Sequence, residues 1–597
     1  ESAEKWNAYA DQVRRDVLDK VVFRGEAAKW RDADVRVEWL ATIEGGPGYR
    51  IRKLRYEALP GLWIPALLYE PHDSAGPFAI DGKLPVVMNV NGHDANGKAA
   101  DYKQLRCINQ AKRGMLALNV EWLGMGQLRN DDNLHYRSNQ IDLCGASGLA
   151  PFYLAMSRGL DVLLSLPNAD PERVAVAGLS GGGWQTIFIS SLDPRVTLSN
   201  PVAGYSSFRT RAFHFSDLGD SEQTPVDLAT VADYAHLTAI RAPRPTLLTY
   251  NAEDNCCFRA DHALQPLLDA AEPIYAGFAM PERLRWHVND DPGDHNFELD
   301  NRQALYGMFR DFFATQPSQA SGEEIPSEGE VKSKEELEVP LPNDNATFHS
   351  LAVALSELLP NTAASASEEA NDKPSAHSQA EQRGQLRELV HYHEYDVTAK
   401  EVASQQVDRV EVITWKLKLG EDWTVPAIEL VPKDPDSTAI VFADGGREAA
   451  MDRAAELLAA GKRVLVMDIF YFGDATISQR DFLFALLVSA VGERPIGLQA
   501  SQIAAVARWA KQNRPDEAVS VIGLGPRTSA MALIAAAIEV AAIDELMLTD
   551  PLKSLHQVID ENWTVQQYPE LFCFGMLEQF DLPDVAGLVA PRPIKTA

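Results

Sequence analysis

Short apolar runs that end in glycine or polar residues recur through the first half of the chain. "KLPVVMNVNG", "GMLALNVEWLG", "RVAVAGLSGG" and "RPTLLTYNAED" are four of them, separated by stretches of helical length such as 101–113 and 148–165. Continuous apolar runs of this size, closed by turn formers, are the pattern of strands buried on both faces. Residues 50–70 alternate differently and predict two strands joined by a short turn at "LPGL". Residues 1–30 place apolar positions at helical spacing and predict a covering helix. Strands alternating with helices predict an α/β fold, a mostly parallel sheet with helices on both faces.

The pattern breaks between 316 and 385, where Ser, Glu, Ala and Pro dominate. This stretch reads as a solvated acidic linker carrying one apolar helical piece, "FHSLAVALSELLP", suited to docking. From 386 the α/β pattern returns and repeats the first. "LWIPALLYEP" pairs with "WTVPAIELVP", setting Pro65 opposite Pro426. "RGMLALNVEWLGMG" pairs with "GKRVLVMDIFYFGD", "VAVAGLSGGGWQT" with "AVSVIGLGPRTSA", and "LTAIRAPRPTLL" with "VAGLVAPRPIKT". Four matches in one order indicate a duplication at long period. Three regions are therefore expected: an α/β domain over 1–315, the linker over 316–385, and a second α/β domain over 386–597.

Composition narrows the functional class. With 85 acidic against 55 basic side chains the net charge is -30. Such a surface repels phosphate backbones and anionic lipid, which argues against nucleic-acid and membrane partners. No apolar stretch approaches the length of a membrane span. The opening "ESAEKWNAYADQ" lacks a signal peptide's basic start and apolar core. Either the protein is cytoplasmic or a leader has already been removed; the compartment stays open, with a periplasmic or secreted place slightly favoured. The five cysteines, at 107, 144, 256, 257 and 573, have no metal-ligand spacing. Adjacent Cys256 and Cys257 read as two thiols rather than a vicinal disulfide, and neither metal nor cofactor is expected.

The chemistry centres on Ser180. A Gly-x-Ser-x-Gly turn between strand and helix lifts the serine oxygen above the sheet, and Gly178 and Gly182 remove side chains that would collide there. A phosphate-binding reading fails because the loop has neither the Walker lysine nor the dinucleotide glycine register. A serine hydroxyl needs a histidine base held by an acid. The acid is expected at the polar end of "RPTLLTYNAED", where Asp254 is preferred over its neighbour Glu253. The base is expected later, in "RLRWHVNDDPGDHNFE"; His295 lies on a loop leaving the strand, whereas His287 sits within it. Oxyanion donors are expected at Gly181 and on the 91–96 loop, at His93 or Asp94. Trp122 and Trp184 flank the site in sequence and are candidates to stack on a sugar, with core packing the equal alternative. Residues 204–237 are expected to build a lid or pocket wall.

"NGHDANGK", "RGLDVLLSLPNADPERVAVAGLSGGGWQT", "APRPTLLTYNAEDNCCF" and "DPGDHNF" together resemble serine esterases of the α/β-hydrolase superfamily. The likeness is to the bacterial acetyl xylan esterase and dienelactone-hydrolase-like group. It implies two tandem α/β-hydrolase-like domains, and it implies triad roles for Ser180, Asp254 and His295. It also implies hydrolysis of a small-molecule or carbohydrate ester, with small acyl groups the leading substrates. Glucuronoyl or xenobiotic esters and, further off, peptides are the enzymatic alternatives; a scaffold with a relic site is the alternative of another class. The second copy carries Gly525 at the serine position and stops at "APRPIKTA", so it is read as degenerate, truncated and non-catalytic. Structural support is its default role, with cleft completion, homo-oligomerisation and polymer binding left open.

Overall fold

A computed structural model describes residues 2–34, 36–359, 376–477 and 481–597. The chain forms two compact units, Glu1–Ser138 with Ala146–Leu351, and Asn139–Gly145 with Ala352–Ala597. Among the described residues no single helix is long and apolar enough to cross a membrane.

The first unit is built on nine strands: β1 Val37–Gly46, β2 Tyr49–Leu59, β3 Leu62–Pro71, β4 Leu84–Asn89, β5 Leu116–Val120, β6 Ala169–Leu179, β7 Leu198–Val202, β8 Thr246–Asn251 and β9 Leu284–Asn289. Their order across the sheet is β1-β2-β3-β5-β4-β6-β7-β8-β9. The first three strands and the β3–β5 pair run antiparallel, and every pair from β5 to β9 is parallel. β4, β5, β7 and β8 are buried at every residue, which is why they read as unbroken apolar runs. The N-terminal helix Ala3–Val17 buries Ala10, Val13 and Val17. Its Arg14 donates to Ser191 O at 2.8 Å, tying it to the end of helix Gly181–Leu192 that follows β6.

The second unit repeats this plan with β10 Val397–Val407, β11 Val410–Leu419, β12 Trp423–Val431, β13 Ser437–Ala443, β14 Arg463–Met467, β15 Ala518–Leu524, β16 Glu545–Thr549 and β17 Ile594–Thr596. Its order, β10-β11-β12-β14-β13-β15-β16-β17, is that of β1 to β8. The match extends to single bonds: Glu121 N donates to Pro65 O at 3.0 Å, and Asp468 N donates to Pro426 O at 3.1 Å. The two aligned prolines thus occupy one structural position.

The acidic stretch behaves differently from its composition. Residues 316–351 pack within the first unit, where Leu337 and Val339 are fully buried beside Tyr49, Tyr69 and Ile108. Glu324 takes both guanidinium arms of Arg302, at 2.6 and 2.7 Å, and the Tyr306 hydroxyl at 3.0 Å. Asn345 accepts from Trp63 N and donates to Trp63 O, pairing like an extra strand residue. A charged segment reads as solvated when its partners are invisible; here basic side chains and edge backbone await it. The apolar piece forms helix Phe348–Ser356. Residues 360–375 of the stretch lie outside the described residues.

Candidate active site

β6 delivers Ser180 to the start of helix Gly181–Leu192 with φ 60° and ψ −123°. Positive φ is costly for a residue with a β-carbon and is held only where neighbours enforce it. Ser180 N donates to Val202 O and Trp184 N to Ser180 O, both at 2.9 Å, fixing the turn from both sides. A β-carbon on Gly182 would stand 2.6 Å from Val90 O, so the close strand–helix approach requires glycine there. Ser180 lines a pocket of about 290 Å³ with Gly92, His93, Tyr102, His295 and Phe297.

The acid and the base come from the ends of β8 and β9. Asp254 Oδ1 accepts the backbone N–H of Cys256 and Cys257 at 3.0 and 3.1 Å, and Oδ2 accepts Asn251 Nδ2 at 3.0 Å. His295 Nδ1 donates to Oδ2 at 2.8 Å, which leaves Nε2 as the second ring nitrogen for proton transfer. Burial works against an ionised Asp254, but His295 and the surrounding donors outweigh it and keep the carboxyl below its ordinary range. Burial likewise works against a charged His295, and the Asp254 carboxylate outweighs it, raising the imidazole. Glu253 is 70% exposed and pairs with Arg259. His287 pairs with Asp300 at 2.7 Å and does not line the pocket. The structure therefore brings Ser180 and His295 to one pocket and sets Asp254, not Glu253, behind the imidazole. Cys256 and Cys257 are free thiols.

Four asparagines support this pair. Asn289 Oδ1 accepts from Gly293 N at 2.9 Å and from Asn296 Nδ2 at 3.0 Å, shaping the loop that carries His295. Asn301 Nδ2 reaches Asn251 Oδ1 and Asn296 O, each at 3.0 Å, linking that loop to the Asp254 turn. All four are buried. Asn251 and Asn289 end β8 and β9, Asn296 lies on the loop and Asn301 in the helix Leu299–Phe312, so spacing along the chain does not mark them as one network.

The loop after β4 is pressed against the serine turn. A β-carbon on Gly92 would fall 3.0 Å from Gly181 N and 2.6 Å from Leu179 O. This brings the backbone leading into His93 beside the Gly181 amide. His93 lines the pocket, while Asp94 does not and instead accepts Asn96 N at 2.8 Å within its own loop. The loop's far end is clamped by the buried carboxylate of Glu121, which accepts Lys98 N at 2.8 Å and Gln127 N at 3.2 Å. Gly97 and Gly126, with φ 54° and 50°, let both backbones come that close. Asp468 makes the same clamp in the second unit, accepting Arg447 N at 2.8 Å and Asp474 N at 3.0 Å between Gly446 and Gly473.

The two tryptophans correct the sugar-stacking expectation. Trp122 is buried with its ring directly beneath Gly181, where a β-carbon would lie 2.0 Å from it. Trp184 is fully buried, its indole N–H given to Tyr234 Oη at 2.8 Å and its ring stacked on Phe188. Both are core residues because an indole ring has more to gain from burial than from solvent once its N–H finds a partner or its face is covered. Neither lines the pocket.

The equivalent turn of the second unit lacks two parts and gains a third group. Gly525, at φ 114°, has no side chain, and Pro526 has no N–H where Gly181 has one. Asp444 fills the space above the helix start, accepting Thr528 N at 2.8 Å and Arg527 N at 3.2 Å. A carboxylate at a helix N-terminus is electrostatically favourable, and it takes the first free amides of this helix.

No family model matches the chain. The acetyl esterase Axe7A of Xylanibacter ruminicola is 30% identical over 196 residues, 30% of this chain and 44% of that protein, so the chain spans less than half the length of this relative. Among solved structures, the methylesterase BT1017 is 21% identical with a TM-score of 0.44, covering 59% of this chain and 75% of its own. A glucuronoyl esterase from Solibacter usitatus is 16% identical with a TM-score of 0.38, covering 51% and 93%. By sequence, part of the chain is thus similar to an acetyl esterase.

Proposed function

We propose that the first unit is a serine carboxylic-ester hydrolase. The observation that carries this reading is the His295–Asp254 bond at 2.8 Å beside a pocket shared by His295 and a strained Ser180. His295 Nε2 takes the Ser180 proton as Oγ attacks the ester carbonyl carbon, and the carbonyl electrons move onto oxygen. The Gly181 N–H and the backbone N–H of His93 receive that oxyanion. The imidazolium, held by Asp254, returns its proton to the departing alcohol as the acyl-enzyme forms. Water repeats the sequence to release the acid. The acyl group is proposed to be acetyl or similarly small and the alcohol a carbohydrate: the pocket of about 290 Å³ is small, and the 30% identical relative is an acetyl esterase. A panel of p-nitrophenyl acetate, butyrate and octanoate, acetylated xylan and a methyl glucuronate ester tests this. Turnover is expected to fall with acyl length and to include acetylated xylan. Turnover of the glucuronate ester alone would shift the substrate class, and none at all would favour a non-catalytic scaffold.

We also propose that the second unit does not hydrolyse esters. Substituting Gly525→Ser restores a hydroxyl but not the missing donor at Pro526. The added β-carbon would lie 2.5 Å from the Asp444 carboxyl carbon, at a φ unfavourable to serine. The expected result, in a Ser180→Ala background, is no gain in p-nitrophenyl acetate hydrolysis and a loss of roughly 1–3 kcal/mol in stability. Recovered turnover would refute the assignment.

A further inference from the structure

Four titratable side chains meet around one carboxylate oxygen of the first unit. Asp220 Oδ2 lies 2.7 Å from His93 Nε2 and 3.1 Å from His135 Nδ1. Glu222 Oε2 lies 3.1 Å from the same His135 nitrogen but makes no hydrogen bond. His135, Asp220 and Glu222 are buried, while the His93 side chain is 38% exposed. The rings of Trp122 and Phe152 stand 4.6 and 5.2 Å from His135, centre to centre.

Counting protons shows what this cluster holds. His135 Nε2 is 2.7 Å from Leu123 O, and a carbonyl only accepts, so Nε2 carries a proton. Nδ1 then faces two carboxylate oxygens that also only accept. A bare lone pair there would be repelled by both, so the position calls for positive charge, either a second ring proton or a metal ion. The distances match the proton. Ligands on a tetrahedral ion with bonds of about 2.0 Å sit roughly 3.3 Å apart. The His93–Asp220 and His135–Asp220 contacts, at 2.7 and 3.1 Å, are hydrogen-bond lengths instead. Burial opposes the charge on His135, but Glu222 and Asp220 outweigh it and hold the imidazole well above its ordinary range. The Asp220 carboxylate, opposed by burial and favoured by His135 and His93, is held well below its own. Its other oxygen accepts Ser221 N at 2.8 Å, so the carboxylate cannot swing freely.

We propose that Asp220, hydrogen-bonded between the buried His135 and the pocket-lining His93, is a positioning residue for His93. By fixing the ring it fixes the loop backbone whose N–H faces the reacting carbonyl oxygen. This inference rests on the ester-hydrolase reading. It also gives the 204–237 segment a role, exerted on the oxyanion loop through Asp220.

The full chain with Asp220→Asn keeps the shape and removes the charge. kcat on p-nitrophenyl acetate is expected to fall about 10- to 100-fold with KM within about twofold, because the oxyanion exists only beyond the ground state. The melting temperature is expected to stay within a few degrees. In wild type with ¹³C-labelled histidine, the His135 ring signal is expected to stay in its charged form across about pH 5.5 to 8.5. An unchanged kcat in Asp220→Asn, a His135 signal titrating near its ordinary value, or a stoichiometric divalent metal in elemental analysis would each overturn the proposal. The last two measurements decide it even if Asp220→Asn does not fold. Wild-type inactivity on every ester, or full activity of Ser180→Ala, would instead refute the ester reading and leave the charge of His135 to be settled by the labelled spectrum.

Discussion

Ser180→Ala is expected to lower kcat for p-nitrophenyl acetate by roughly 10⁴-fold or more while KM and melting temperature change little. The expectation follows from what the alanine removes and what it leaves. It deletes the only protein atom proposed to bond to the acyl carbon. The pocket walls of Tyr102, Leu179 and Phe297 remain, as do the Gly181 amide and the His295–Asp254 pair. Alanine at φ 60° is strained about as much as serine, so stability should not discriminate between the two proteins. A fluorophosphonate probe should label the wild type once per chain and leave Ser180→Ala unlabelled, which separates loss of the nucleophile from loss of binding. Undiminished turnover in the variant would show that another group does the chemistry.

The second large effect is expected at Asp254. Asp254→Asn preserves size but cannot stabilise an imidazolium, and its amide N–H facing Nδ1 favours the wrong tautomer. A fall of roughly 10⁴-fold in kcat is expected by analogy with triads of this kind. The pH profile carries the sign. His295 is raised above its ordinary value near 6.5 by Asp254, and only its neutral form accepts the Ser180 proton. The acid limb of kcat/KM in the wild type should therefore lie above that value, with activity lost as pH falls through it. Asp254 itself is depressed and stays ionised throughout this window. In Asp254→Asn the limb should move to lower pH, because the group that raised His295 is gone. A variant with wild-type rate and an unmoved limb would show that Asp254 does not act on His295.

Asp254 also shows where reading along the chain stopped. Glu253 and Asp254 are chemically close and adjacent, and nothing in their spacing distinguishes them; burial does, because one side chain reaches solvent and the other is closed off beneath His295. Asp220 and His135, 85 residues apart, gave no signal at all, and His93, 127 residues from Asp220, stood out only for its place on the oxyanion loop and not for its ring's partner. The Glu121 clamp left only two glycines as a trace, and its meaning depended on a carboxylate from another loop. The tryptophans near the serine were neutral in sequence and are interior in the fold. The acidic stretch at 316–351 looked solvated because composition reports charge but not the Arg302, Lys112 and strand-edge groups that receive it.

By itself the sequence determined the features that depend on neighbours along the chain. These are the buried runs that become central strands, the glycine-bounded turn that places Ser180 at positive φ, and the order of candidate acid and base behind it. It also determined the repeated plan, down to Pro65 against Pro426, since duplicated strands keep their local pattern even where Gly525 replaces the serine. Tertiary structure alone decided which carboxylate backs His295, which carboxylate plugs the second turn, and which buried charge steadies His93. The reason is physical. Backbone conformation and strand burial are encoded within a few residues, whereas the state of an ionisable side chain depends on desolvation and on partners brought near only through space.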